Sequence, residues 1–131
     1  PVRGDFDSDG KADLAVYRDG IWYQFRSTEG FSAVQFGLPN DKIVPADYDT
    51  DGRTDFAVYR EGIWFILRSR DGFLATQFGI STDIPLVGDF DGDAKSDIAV
   101  YRSGTWFLSQ SSSGISIFQF GLSGDNPIPS N

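Results

Sequence analysis

Apolar and polar residues alternate in short runs separated by Gly- and Asp-rich punctuation, and no stretch sustains a 3.6-residue period. In the middle of the chain, Ile43 to Tyr48 reads as a short extended run. Asp55-Phe56-Ala57-Val58-Tyr59-Arg60 alternates and is rich in β-formers. Ile63 to Arg68 is a third strand and Phe73 to Phe78 a fourth. Glu61-Gly62 fits a two-residue hairpin turn, and Arg70-Asp71-Gly72 a second turn. The third strand is apolar on both faces, with Trp64 and Ile66 on one and Ile63, Phe65 and Leu67 on the other. A strand covered on both sides reads this way.

The same pattern recurs every 42 residues without insertion or deletion. Tyr17-Arg18 returns as Tyr59-Arg60 and Tyr101-Arg102, and Trp22 as Trp64 and Trp106. Gln35-Phe36-Gly37 returns as Gln77-Phe78-Gly79 and Gln119-Phe120-Gly121. The hairpin turn has counterparts in Asp19-Gly20 and Ser103-Gly104. The predicted fold is all-β, as three four-stranded antiparallel β-propeller blades of 42 residues, forming an incomplete ring or one closed by oligomerisation. Blade 1 covers 1–37 with a partial inner strand, blade 2 covers 38–79 and blade 3 covers 80–121. Residues 122–131 start a fourth inner strand or supply a closing strand to a partner. A sandwich of 12 strands is the competing architecture. The strict period favours the propeller, where every blade meets the same two neighbours. Gln24 stands where Ile66 does, and Thr105 and Ser109 stand for Ile63 and Leu67. The outer units are therefore expected to be the polar caps of the array.

Each unit carries an acidic loop with Asp at positions 1, 3, 5 and 9: Asp5, Asp7, Asp9 and Asp13; Asp47, Asp49, Asp51 and Asp55; Asp89, Asp91, Asp93 and Asp97. Twelve of the 19 acids lie in these stretches. Converging carboxylates repel one another, and a hard divalent cation removes that cost. Alternate Asp side chains supply the oxygens calcium prefers, and the position-7 backbone carbonyls of Lys11, Arg53 and Lys95 would complete each set with water. The bland alternative is three solvated turns, since Asp and Gly are common in turns. An EF-hand does not fit, because position 12 is Val16, Val58 or Val100 inside a strand. The third loop has Ala94 where the others have Gly10 and Gly52, so its site is expected to bind most weakly.

Composition narrows the chemistry further. The chain of 131 residues is 40% hydrophobic and 15% aromatic, which suits a folded domain. A net charge of -8 disfavours nucleic acid and anionic membranes as partners. Three calcium ions would bring it to about -2. There is no Cys and no His, so disulfides, thiol nucleophiles, His-dependent catalysis and the usual zinc, copper and haem ligand sets are excluded. No apolar run is long enough to insert as a membrane helix. The start at Pro1, without Met, is expected of a mature product or an excised piece.

The Asp-x-Asp-x-Asp-Gly-x-x-Asp loop between two strands, followed by the aromatic–Gly pair, resembles the FG-GAP repeat. That family overlaps the VCBS repeats and includes the propeller of integrin α-subunits. The resemblance covers the whole chain and implies a calcium-loaded, usually extracellular β-propeller whose loops bind proteins or glycans. The departure is Phe36-Gly37-Leu38-Pro39, which lacks the Gly-Ala-Pro of the family's name. The expected function is a secreted or cell-surface structural and interaction scaffold, with up to three calcium ions. A lectin-like propeller and a non-catalytic accessory segment of a larger secreted enzyme are the alternatives. Expected partners are a protein or glycan ligand, and a second copy that closes the ring.

Four sharper readings remain. Arg3-Gly4-Asp5 spells an adhesion tripeptide, but Asp5 is the first loop ligand and the equivalent triplets are Pro45-Ala46-Asp47 and Val87-Gly88-Asp89. Trp22, Trp64 and Trp106 suit either sugar stacking or blade packing, and their fixed strand position favours packing. Arg18, Arg60 and Arg102 suit either ion pairs with fixed acids such as Asp41, Asp83 or Asp125 or part of a partner site, and the structural role is favoured. The acids outside the loops show no convergence, so the chain is not expected to be an enzyme.

Overall fold

A computed structural model describes residues 1–128 of the chain. Among them are eleven strands in three antiparallel sheets and no helix. The first sheet is β1 (Leu14–Arg18), β2 (Ile21–Arg26) and β3 (Gly30–Gln35) in that order. The second is β4 (Lys42–Ile43), β5 (Phe56–Arg60), β6 (Ile63–Arg68) and β7 (Gly72–Gln77). The third is β8 (Ile84–Gly88), β9 (Asp97–Arg102), β10 (Thr105–Gln110) and β11 (Gly114–Gln119). No sheet closes on itself.

The repeat is visible in the register. Tyr17 opposes Trp22, Tyr59 opposes Trp64 and Tyr101 opposes Trp106. The hairpin turns joining these strands have positive φ at both central residues, 53° and 83° at Asp19-Gly20 and 53° and 82° at Glu61-Gly62. Such turns match the twist of the strands they join. The Phe–Gly pair also has a local cause. The indole N–H groups of Trp22, Trp64 and Trp106 donate to the carbonyls of Phe36, Phe78 and Phe120 at 2.8, 3.0 and 3.0 Å. A Cβ on Gly37, at φ 119°, would lie 2.5 Å from the Tyr17 hydroxyl. That hydroxyl donates to the Leu38 carbonyl at 2.8 Å. Glycine is therefore required there by both space and backbone.

Two differences from the expected four-stranded units concern the inner strands. In the first unit only Val2 pairs, as an isolated bridge to Ala15, so that sheet has three strands. Continuing that register places Pro1 opposite Val16, where no further bridge forms. In the second unit the regular strand ends at Ile43, and the run continues as an N–H donation from Val44 to Ala57 and a bridge from Ala46 to Asp55. Pro45, which has no N–H, falls at the intervening position where the ladder asks for none. Residues 122–128 contain no strand, and residues 129–131 of the expected closing strand lie outside the described residues.

The core lies between sheets. Val2, Phe6, Ala15 and Trp22 pack against Val58 of the second sheet, with Phe56 and Phe65 beside them. Val44, Ala57, Tyr59, Trp64 and Ile66 pack against Val100 of the third, with Ile98 and Phe107. Leu86, Ala99, Tyr101 and Leu108 form a third cluster with Phe90 and Trp106 and no following sheet. This arrangement overturns the expectation of polar caps. Gln24 is buried on the face that meets the second sheet, its amide oxygen accepting from Arg26 Nε at 2.9 Å. Thr105 and Ser109 share the inward face of β10 with Phe107. The outward faces are the apolar ones: Leu14, Phe25 and Phe31 at one end, Phe118 and Phe120 at the other, all exposed.

Candidate metal centres

All three loops lie just before the first regular strand of a hairpin, after the leading segment of their unit. The residues preceding them, including Arg3-Gly4, Pro45-Ala46 and Val87-Gly88, line one shared cavity of about 380 Å³. Neighbouring loops are tied in sequence. The Asp5 N–H donates to Thr54 Oγ1 at 2.9 Å while the Thr54 N–H donates to the Asp5 carbonyl at 2.8 Å. Ser96 Oγ donates to the Asp47 carbonyl at 3.0 Å.

Within each loop the four acids have different work. Asp5 curls the loop around itself, accepting N–H bonds from Ser8, Asp9 and Gly10 at 2.7, 3.2 and 2.8 Å. Asp47 accepts from Asp51 and Gly52, and Asp89 from Gly92, Asp93 and Ala94. The ninth-position acids fasten the loop to the sheet. Asp13 accepts from the Phe6 N–H and from Ser27, Asp55 from Tyr48 and Ser69, and Asp97 from Phe90 and Ser111. All three are buried.

The third-position acids differ from the rest. Oδ2 of Asp7 accepts from Thr28 and Glu29 N–H at 2.8 and 3.1 Å, and Oδ2 of Asp49 from Arg70 and Asp71 N–H at 2.8 and 3.0 Å. Their other oxygens, Asp7 Oδ1 and Asp49 Oδ1, are buried with no hydrogen-bond partner. An unsatisfied buried acceptor costs about 1–3 kcal/mol, and more when charged. Asp91 has the same Oδ2 partners, Ser112 and Ser113, but is less buried than Asp7 or Asp49.

Side-chain oxygens of Asp5, Asp7, Asp9 and Asp13 all lie within 4.8 Å of one another, and so do those of Asp47, Asp49, Asp51 and Asp55. The third group comprises Asp89, Asp91 and Asp97. Asp93 lies outside that group although it accepts the same kind of bonds as Asp9, from the Ser111 and Ser112 hydroxyls, both at 2.5 Å, and from the Lys95 N–H at 2.9 Å. The orphaned buried oxygens and the all-carboxylate donor sets fit a hard divalent cation, and give no soft ligand for any other.

Position 7 supplies no acid. The N–H groups of Lys11 and Arg53 donate to Asp9 and Asp51 at 2.8 and 2.9 Å, as Lys95 does to Asp93. The Arg53 side chain crosses to the first unit and pairs with Glu29 at 3.2 Å.

The titration of the acids follows their surroundings. Hydroxyl bonds from Ser27 and Thr28 lower Asp9 to about 2. In the second loop burial, opposed by N–H bonds, raises both Asp47 and Asp55, with the charges of Asp51 and Asp49 adding to the effect. In the same loop burial opposes ionisation of Asp51, but the Ser69 and Arg53 bonds outweigh it and lower its carboxyl. Burial also opposes ionisation of Asp13, but there the Ser27 and Phe6 bonds prevail and its carboxyl is lowered.

The β2–β3 turn and its repeats were not among the expected site residues, yet they cover the loops. Ser27, Ser69 and Ser111 each bond the fifth- and ninth-position acids of their own loop. Their 42-residue spacing is a signal present in the chain. Backbone strain is shared differently from expectation. Positions 4 and 6 both have positive φ in every loop: Ser8 66° and Gly10 85°, Thr50 58° and Gly52 87°, Gly92 77° and Ala94 70°. The third loop has moved its glycine to position 4, so the absence of Gly at position 6 does not by itself single out a weaker site.

Among the other candidates, Trp22 and Trp64 are fully buried and offer no face to a sugar. Arg60 and Arg102 make the expected ion pairs, each with Nε 2.6 Å from Asp41 and Asp83 respectively. Among the described residues no helix is long and apolar enough to cross a membrane. Comparison with known proteins finds no matching family model, no matching curated protein and no matching solved structure.

Proposed function

We propose that this chain is a calcium-stabilised segment of a β-propeller of the FG-GAP and VCBS kind, acting outside the cytosol as a non-catalytic scaffold for a protein partner. One observation carries the metal reading: Asp7 Oδ1 and Asp49 Oδ1 are buried without a donor inside clusters of four carboxylates. A cation is the partner that such an oxygen lacks, and oxygen-only ligands select calcium over the softer metals. Asp5, Asp7, Asp9 and Asp13 would hold one ion, and Asp47, Asp49, Asp51 and Asp55 a second. Asp89, Asp91 and Asp97 would hold a third with Asp93 drawn in. The carbonyls of Lys11, Arg53 and Lys95 remain the proposed backbone ligands. The metal's contribution is electrostatic: it neutralises the acids and locks each loop to its hairpin.

The propeller reading is supported by three sheets that repeat one register, stack by the same pair of faces, and bring their leading segments to one cavity. The extracellular reading rests on the resemblance to the FG-GAP repeat, and it goes with site affinities in the weak range of extracellular calcium modules. Isothermal titration of calcium into the chelator-treated chain tests the reading. Two or more sites are expected, with Asp7→Asn and Asp49→Asn each removing one. No heat and no change in melting temperature would refute it.

A further inference from the structure

Both internal interfaces use the same two faces, and the chain's ends carry one of each. The Trp22 face of the first sheet meets the Val58 face of the second, and the Trp64 face of the second meets the Val100 face of the third. The Trp106 face of the third sheet meets nothing among the described residues. It lines an apolar hollow of about 340 Å³ with Phe90, Leu108, Phe118 and Phe120. Trp22 and Trp64 are 0% exposed, whereas Trp106 is not fully covered. At the other end, Leu14 and Phe25, which correspond to Phe56 and Leu67 of the second sheet, are 74% and 63% exposed.

Polar groups are left over in the same register. Asp41, in the loop after the first sheet, pairs with Arg60 of the second sheet, and Asp83, in the loop after the second, pairs with Arg102 of the third. Asp125, in the loop after the third sheet, and Arg18, of the first sheet, form no ion pair among the described residues. Both are exposed, and Arg18 stacks over Tyr23 at 4.7 Å as Arg60 does over Phe65. A steric match is left over too. A Cβ on Gly37 or Gly79 would lie 3.0 or 2.9 Å from a Cγ1 of Val58 or Val100. Gly121 faces no valine, and the equivalent Val16 is 43% exposed.

We infer that a second copy of this chain docks head to tail on the first, its Leu14–Val16–Phe25 face on the Trp106–Phe118–Phe120 face, with Asp125 of one copy paired to Arg18 of the other. The contact repeats the two interfaces already inside the chain, joins unlike faces, and so is heterologous. It does not depend on metal. Residues 127–131 are in phase with residues 1–5, so both cannot pair with β1 of the same copy. Docking in this register requires the former to stand aside.

Light scattering of the 131-residue chain, in calcium and in chelator, tests this, with a mass at a multiple of 14.4 kDa expected. Arg18→Asp and Asp125→Arg are each expected to weaken association about tenfold. The two together restore it, because the charge pair is re-formed with its signs exchanged. Trp106 emission is expected to shift to the blue with concentration, and that shift is lost in Trp106→Phe. A 14.4 kDa species at every concentration overturns the proposal, as does a double variant no tighter than either single one. Weaker association after deletion of 127–131 would assign the contact to the tail and overturn it as well.

Discussion

Replacing Asp49 by Asn separates the two roles of the middle loop. In the parent chain Asp49 Oδ1 is buried and unpartnered, among carboxylate oxygens within 4.8 Å. One charge pair at that separation repels by roughly 3 kcal/mol at an effective dielectric of ~20. Solvent at the half-exposed Asp47 and Asp51 screens much of this, leaving a relief of about 1 kcal/mol once the charge is removed. The Asn oxygen still accepts the Arg70 and Asp71 N–H groups. In chelator, Asp49→Asn is therefore expected to be more stable than the parent. A domain of this size shifts by about 3–4 °C per kcal/mol, so the gain reads as a few degrees. Calcium reverses the balance. At 1 mM calcium a site of about 0.1 mM affinity adds about 1.4 kcal/mol, or roughly 5 °C. The parent gains from every site and the variant from one fewer, so calcium erases or inverts the variant's advantage. Thermal melts followed by circular dichroism in chelator and in calcium measure this double difference. An equal calcium increment in the two proteins would refute the assignment of Asp49 as a ligand. No increment in either would refute the metal reading entirely.

Other perturbations probe separate parts of the reasoning. Asp49→Ala in calcium is expected to cost more stability than Asp91→Ala, because the third group gathers three acids where the second gathers four and Asp91 is less buried than Asp49; calcium-loaded melts rank the two. Ala94→Gly and Thr50→Gly, both at positive φ, are each expected to stabilise by about 0.5–1 kcal/mol in chelator, read from denaturant midpoints. Arg60→Ala leaves the buried Asp41 carboxylate without its cation and is expected to cost about 3 kcal/mol in a urea titration. Burial opposes ionisation of Asp41 and Asp83, but the Arg60 and Arg102 bonds outweigh it and lower both carboxyls. Their stabilising contribution is thus complete above the ordinary carboxylate range and lost as pH falls through their lowered values. The acid-unfolding midpoint of Arg60→Ala is expected to shift accordingly. Trp64→Phe is expected to destabilise more than Trp106→Phe, by about 2 kcal/mol in denaturant titrations, since Trp64 is fully enclosed and Trp106 borders the open face.

The parts of this molecule legible in its sequence are those set by short-range rules repeated three times. The strand β6 ends where the apolar run ends, and the two-residue turns fall where Asp-Gly, Glu-Gly and Ser-Gly predicted them. The loops curl as alternate Asp residues dictate. What was not legible depends on which face meets which. Gln24 reads as a polar cap, yet it lies on a covered face, because side-chain alternation tells that two faces exist and not which is outermost. Ser27 reads as a turn residue, and only the fold brings it onto Asp9 and Asp13. Ala94 reads as a missing glycine until Gly92 is found carrying positive φ two residues earlier. These three corrections bear on one another. The polar substitutions of the outer units sit inward, where Gln24 finds Arg26, and the outward faces keep the apolar side chains of an internal interface. Leu14, Phe25, Phe118 and Phe120 thus expose the kind of apolar surface that the sheets bury between them, with Arg18 and Asp125 exposed beside them. The acidity is concentrated in the loops, and the exposed apolar side chains lie on the outward sheet faces.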